Sequence, residues 1–73
     1  SLTDKERTLF VELNESYTKK FGFPFILAVK QLQKQQILET FKERINNDEE
    51  TEFLQSCQQV ERISLLRLID LFN

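Results

Sequence analysis

The chain has no histidine, methionine or tryptophan, and only one cysteine, one glycine, one proline and one tyrosine in 73 residues. Each shortage excludes something. Without His, the side chain that most readily moves a proton near neutral pH is missing, so any general acid or base must be a carboxylate or come from elsewhere. A lone Cys57 cannot build an internal disulfide framework, and with neither paired Cys nor His the usual zinc ligands are lacking, so no metal site is expected. Single-Cys usage fits a reducing compartment. The absence of Met means that Ser1 either follows a removed initiator or begins a fragment. Ten basic residues stand against 12 acidic ones, a net charge of −2, and no basic stripe gives the electrostatic footprint of a nucleic-acid binder. The longest apolar run, Phe23 to Val29, is 7 residues, far short of the roughly 20 that a membrane helix needs. No N-terminal signal pattern is present. Neither nucleic acid nor membrane is therefore expected as a partner.

What remains is 40% apolar and 30% charged, the composition of a soluble helical chain of at most one domain. A chain this short buries only about 60% of the surface its unfolded form exposes, which argues against a self-sufficient enzyme with its own deep pocket. It is expected to lean on further structure.

The first helix announces itself with Thr3-Asp4-Lys5-Glu6, a capping box in which the Thr3 hydroxyl and the Glu6 carboxylate satisfy each other's backbone donors. Leu9, Leu13, Tyr17 and Phe21 then recur every four residues, with Phe10 beside them, forming one apolar stripe. Gly22 provides the left-handed C-terminal cap, and Pro24 forbids continuation, so this helix ends near Phe21. Pro24 also suits the first position of a new short helix through Phe25, Ile26, Leu27, Ala28 and Val29, a wholly apolar stretch that is buried or lines a cavity. Lys30 to Gln36 reads as a polar connection into a third helix with Ile37, Leu38, Phe41 and Ile45 on one face, stopped by Asn46-Asn47-Asp48. Asp48 caps a fourth, whose positive end suits Glu49, Glu50 and Glu52. Phe53, Cys57, Val60 and Ile63 form its inward stripe. From Ile63 to Phe72 seven of ten residues are apolar, enough to cover most of the circumference and to call for burial from several sides.

Few residues offer chemistry. Arg67 lies between Leu66 and Leu68, with Ser64 and Asp70 on its face at i−3 and i+3. A permanently charged guanidinium there either pairs with Asp70 or snorkels to solvent, or it receives a carboxylate ligand bidentately. If Pro24 opens a helix, the unpaired amides of Phe25, Ile26 and Leu27 make a second anion device; otherwise these residues are core. Glu12, Glu15, Glu39, Glu43, Glu49, Glu50, Glu52 and Glu61 all read as solvated helix faces. Cys57 reads as an inert core thiol. Tyr17 and Asn14, about a turn apart, are expected to share a hydrogen bond that anchors the first helix.

The order Leu13-Asn14-Glu15-Ser16-Tyr17, then Lys20-Phe21-Gly22-Phe23-Pro24-Phe25-Ile26, then Ala28-Val29-Lys30, resembles the signature of the OHCU decarboxylases. The resemblance continues through Ile37-Leu38-Glu39, Phe41, Arg44-Ile45-Asn46-Asn47, Glu52-Phe53 and Val60-Glu61-Arg62-Ile63 into Leu66-Arg67-Leu68. That family acts on 2-oxo-4-hydroxy-4-carboxy-5-ureidoimidazoline in urate breakdown, giving (S)-allantoin. The resemblance implies an all-α multi-helix bundle about twice this length, of which residues 1–73 are the C-terminal half. It implies substrate contacts from Phe25, Ile26, Leu27, Ala28, Val29 and Arg67, no metal or organic cofactor, a homodimer, and a cytoplasmic setting or, in eukaryotes, a peroxisomal one. The terminal Leu71-Phe72-Asn73 is not a peroxisomal Ser-Lys-Leu address. The family's His-Pro motif with its catalytic His, and the Glu-Gln motif after it, have no counterpart here, so no catalytic residue is expected in this chain and alone it should be inactive. Gln31 stands where many relatives carry Gly. The alternative reading is a non-catalytic helical interaction module, or a truncated, inactive relative, that uses the surplus apolar face at Ile63 to Phe72.

Overall fold

A computed structural model describes residues 2–73, with Ser1 outside the described part. Among the described residues the architecture is all-α, with three helices in the order α1 (Asp4–Phe21), α2 (Lys34–Arg44) and α3 (Glu49–Phe72). None of them is long and apolar enough to cross a membrane.

The local signals at the helix ends act as expected. The Thr3 hydroxyl accepts from the Glu6 N–H at 3.1 Å and the Glu6 carboxylate accepts from the Thr3 N–H at 2.9 Å. That backbone bond, with help from Lys34, lowers the Glu6 pKa to about 2. Gly22 closes α1 in the left-handed region, φ 79°, its N–H donating to the Thr18 carbonyl at 2.8 Å. Asp48 caps α3 by accepting from the Thr51 N–H at 2.7 Å. Lys20, at the end of α1, donates to the carbonyls of Ile45 and Asn47 at 2.7 and 3.0 Å, stitching α1 to the turn after α2. The polar run before the third expected helix is partly helical itself, since α2 begins at Lys34, where the Gln33 N–H donates to the Gln36 side chain at 2.8 Å.

The expected short helix from Pro24 to Val29 does not form; this stretch has no regular secondary structure. The reason lies in what its two aromatic rings and its backbone find across the chain. Phe23 and Phe25 both set their edges against Tyr17, with centroids 6.0 and 5.2 Å away, and Phe25 stacks face to face on Phe41 at 3.8 Å. A helical turn would take the two rings off this common partner. The backbone groups that a helix would have satisfied internally are met by side chains. The Ile26 carbonyl accepts from Arg44 Nη1 at 2.5 Å, and the Ala28 N–H donates to Gln59 Oε1 at 2.9 Å. Without a helix start, the anion device expected from the amides of Phe25, Ile26 and Leu27 is absent. The segment ends in a turn closed by the Leu32 N–H on the Val29 carbonyl, with Gln31 at φ 67°. The left-handed region favours Gly, so Gln31 carries a conformational cost there.

The second correction concerns α3, which is turned by about one residue, roughly 100°, from the expected orientation. Phe53, Cys57 and Val60 face outward, Phe53 being 56% exposed, while Glu52 and Ser56 are buried and Gln59 and Ile63 half-buried. Cys57 is thus an exposed thiol and not a core one. The end of α3 is open as well: Leu65, Leu68, Ile69, Leu71 and Phe72 are exposed, Phe72 by 87%. Nothing among the described residues covers these side chains.

The core holds an aromatic cluster of Tyr17, Phe21 and Phe41, with Phe10, Leu13, Phe23, Phe25 and Ile45 packed around it. Beside it lies an ionic knot. Glu52, expected on a solvated face, is 0% exposed; its Oε1 takes the Tyr17 hydroxyl at 2.5 Å and Arg44 Nε at 2.7 Å, and its Oε2 takes the Asn47 amide at 3.1 Å. Tyr17 therefore anchors α1 to α3 and not to Asn14, which is exposed. Arg44 Nη2 reaches Glu52 at 2.5 Å and Ser56 at 3.3 Å, and the guanidinium lies over the Phe25 ring at 4.5 Å. Burial by itself would raise the Glu52 pKa, but the hydrogen bonds from Arg44, Tyr17 and Asn47 outweigh it and hold the carboxyl below its ordinary 4.5. Burial, then the bond to Glu52, raises the Tyr17 pKa.

Removing one member of this pair strands the other. Glu52→Gln should cost about 3–5 kcal/mol in urea denaturation at pH 7. Tyr17→Phe, which removes one bond to a charged group, should cost about 1.5–3 kcal/mol. Since the folded pKa of Glu52 is depressed, its contribution is complete above the unfolded carboxylate range and lost as pH falls through and below it. Wild-type stability should therefore decline on acidification, and Glu52→Gln should flatten that slope. Gln31→Gly should add about 1 kcal/mol by relieving the left-handed residue.

Candidate functional site

A cleft of about 260 Å³ opens between the irregular segment after Pro24 and the second half of α3. Leu27, Ala28, Val29 and Lys30 form one wall; Ile63, Leu66, Arg67 and Asp70 form the other. The two regions that the sequence singles out for ligand chemistry, far apart in the chain, thus face each other. The segment is placed there by Arg44 on the Ile26 carbonyl and Gln59 on the Ala28 N–H, one side chain from α2 and one from α3 gripping the backbone on either side of Leu27.

Inside the cleft the charges are unequally engaged. Asp70, the neighbour of Arg67 on its own helix face, pairs instead with Lys30 across the cleft at 2.6 Å. No hydrogen bond or ion pair within the described residues holds Arg67, which is exposed. The N–H groups of Leu27 and Val29 likewise donate to no group among the described residues. With Lys30 and Asp70 cancelling, the cleft presents one uncompensated cation over an apolar floor, an arrangement suited to a small anion.

Of the six candidate contact residues, Leu27, Ala28, Val29 and Arg67 meet in this cleft. Phe25 and Ile26 stand outside its lining: Phe25 is occupied with Phe41 and Arg44, and Ile26 gives its carbonyl to Arg44. A larger hollow of about 560 Å³ lies between Phe23, Glu49, Glu50 and Phe53, but its only charged walls are carboxylates, which repel anions. Among the described residues no group of His, Cys, Asp or Glu is placed to hold a metal ion. Sequence reasoning missed Arg44, Glu52 and Gln59, the residues that shape the site. No local signal marked them, because their partners lie on other elements.

Comparison with known proteins bears on this geometry directly. The sequence model of the OHCU decarboxylase family matches residues 1–69. The chain belongs to the OHCU decarboxylase family. Similar family members include the uric acid degradation bifunctional protein of Bacillus sp. (strain TB-90), 42% identical over 99% of this chain and 14% of that protein. The 2-oxo-4-hydroxy-4-carboxy-5-ureidoimidazoline decarboxylase of Haloferax volcanii is 37% identical over 100% of this chain and 44% of its own length. The chain thus spans less than half of these relatives. A crystal structure of (S)-allantoin synthase superposes with a TM-score of 0.89 at 40% identity, covering 96% of this chain and 26% of that one. The all-α architecture expected of an OHCU decarboxylase is therefore present, with an irregular run after Pro24 where a helix was expected.

The grip on the segment can be tested at Gln59. Gln59→Leu keeps the volume and removes the acceptor, leaving the part-buried Ala28 N–H unpaired. Stability should fall by about 1–3 kcal/mol, and the Ala28 amide should lose its protection in hydrogen exchange while amides in the middle of α1 keep theirs.

Proposed function

We propose that this chain is the C-terminal half of an OHCU decarboxylase and that its cleft binds the ureidoimidazoline substrate, which the whole enzyme converts to (S)-allantoin in urate breakdown. The single observation that carries the reading is the free Arg67 facing Leu27, Ala28 and Val29 across one cleft in a chain of this family. Decarboxylation needs a site that holds a carboxylate, stabilises the negative charge left on the ring carbon and its conjugated oxygen, and returns a proton to one face. Arg67 answers the first need, and together with the unengaged N–H groups of Leu27 and Val29 it supplies charge and dipoles for the second. Phe25 and Ile26 serve by holding the segment in place. The third need is not met here. The described part of the chain has no His, and its one buried carboxylate, Glu52, is locked by Tyr17, Arg44 and Asn47, so the proton donor belongs to the other half of the enzyme. That division makes this chain inactive alone, and no metal or organic cofactor is called for.

The exposed apolar side chains at the end of α3 support the same reading, because helices from the other half of the domain would cover them. The whole enzyme is proposed to be a cytoplasmic homodimer, or a peroxisomal one in a eukaryote; light scattering that gave a clean monomer would contradict the assembly.

Arg67→Lys in the whole enzyme keeps the charge and loses the planar fork, so kcat/KM should fall roughly 10- to 100-fold, equivalent to ~1.4–2.7 kcal/mol. Thermal stability should barely change, since Arg67 is exposed and holds no partner among the described residues. Steady-state kinetics set beside thermal midpoints decide the matter: wild-type kinetics in Arg67→Lys would end the assignment.

A further inference from the structure

Arg67 and Asp70 sit at i and i+3 on α3, the spacing at which a helix ordinarily pairs its own opposite charges. An Arg so paired is half neutralised and must be freed before it can take a ligand carboxylate. In this fold the pairing is diverted. The turn after Val29 brings Lys30 over the cleft, and its ammonium takes Asp70 Oδ1 at 2.6 Å. Both side chains are about half exposed, so as a stabilising bond the pair is worth little. Its placement is what matters, because both members border the cleft that holds Arg67.

We propose that Lys30 is a positioning residue for the substrate site: by engaging Asp70 it keeps that carboxylate from pairing with Arg67 and cancels its repulsion of an incoming anion. The proposal rests on the reading that Arg67 receives the carboxylate of the substrate. Lys30 itself makes no claim on the reacting atoms, and acts through Asp70. Two roles for the ion pair are thereby opposed. If it merely straps the segment to α3, deleting either partner or both is equally harmful. If it silences Asp70, removing Lys30 alone is harmful and removing Asp70 as well undoes the harm.

The test uses the whole enzyme and the ureidoimidazoline substrate, with Lys30→Met, the double variant Lys30→Met/Asp70→Asn, and Arg67→Lys as the control on the underlying reading. Lys30→Met should raise KM about 3- to 10-fold with kcat within twofold of wild type, and the rise should shrink as ionic strength increases. The double variant should return KM to within about twofold of wild type. Thermal midpoints of both should stay near wild type, as expected for an exposed pair. A wild-type KM in Lys30→Met overturns the proposal, and so does a double variant as impaired as the single one. If Arg67→Lys is impaired while either of these holds, the role of Lys30 fails and the assignment of the cleft stands. If Arg67→Lys behaves as wild type, the assignment itself fails.

Discussion

Everything else in this chain hangs on the buried contact between Arg44 and Glu52. A buried ion pair is a poor source of net stability, because taking both charges out of water costs about as much as their attraction returns. What it provides here is direction. The aromatic cluster of Tyr17, Phe21 and Phe41 would tolerate several arrangements of its neighbours, since apolar contact has little angular preference. The guanidinium does not. Its Nε and Nη2 are committed to Glu52 of α3, its Nη1 to the Ile26 carbonyl, and its face to Phe25. With the Tyr17 hydroxyl on the same Glu52 oxygen, α1, α2 and α3 are joined through one carboxylate, and Arg44 ties the segment after Pro24 to them. No buried side-chain nitrogen or oxygen among the described residues lacks a partner, which is the condition on which such a knot is tolerable.

The rotation of α3 follows from that knot. Glu52 and Ser56 must face Arg44, so Cys57 and Val60 are turned to solvent and Phe53 is left half exposed, its ring edge-on with Phe23. Within the described residues nothing covers that face. The near-continuous apolar character of Ile63 to Phe72 belongs to the same logic, with one side of that turn lining the cleft and the others left for neighbouring structure.

Charge in the chain is used with economy. Glu6, Asp48 and the Asp70–Lys30 and Glu6–Lys34 pairs settle charges locally at helix ends and across short gaps. Glu52 and Arg44 settle theirs in the interior. Arg67 stands apart, exposed beside an apolar floor with its natural helix partner drawn off by Lys30. The site is therefore defined as much by where charges have been cancelled as by the one left over, and a small apolar cleft makes that remaining charge count for more than it would on an open surface.

Sequence alone determined what depends on neighbours within a few residues. The capping box at Thr3 and Glu6, the Gly22 stop, the Asp48 cap and the all-α character are all set by contacts within about four residues, and the motifs from Leu13 to Leu68 carried the family. Tertiary structure alone decided the irregular run after Pro24, the burial of Glu52, the exposure of Cys57 and the pairing of Asp70 with Lys30 and not Arg67. In each case the partner is distant in sequence. Ile26 finds Arg44, Ala28 finds Gln59, Tyr17 finds Glu52 and Lys30 finds Asp70. Periodicity records which residues share a helix face but not which side chains on other elements will be waiting there. A polar face whose charges are fully met can be buried as firmly as an apolar one.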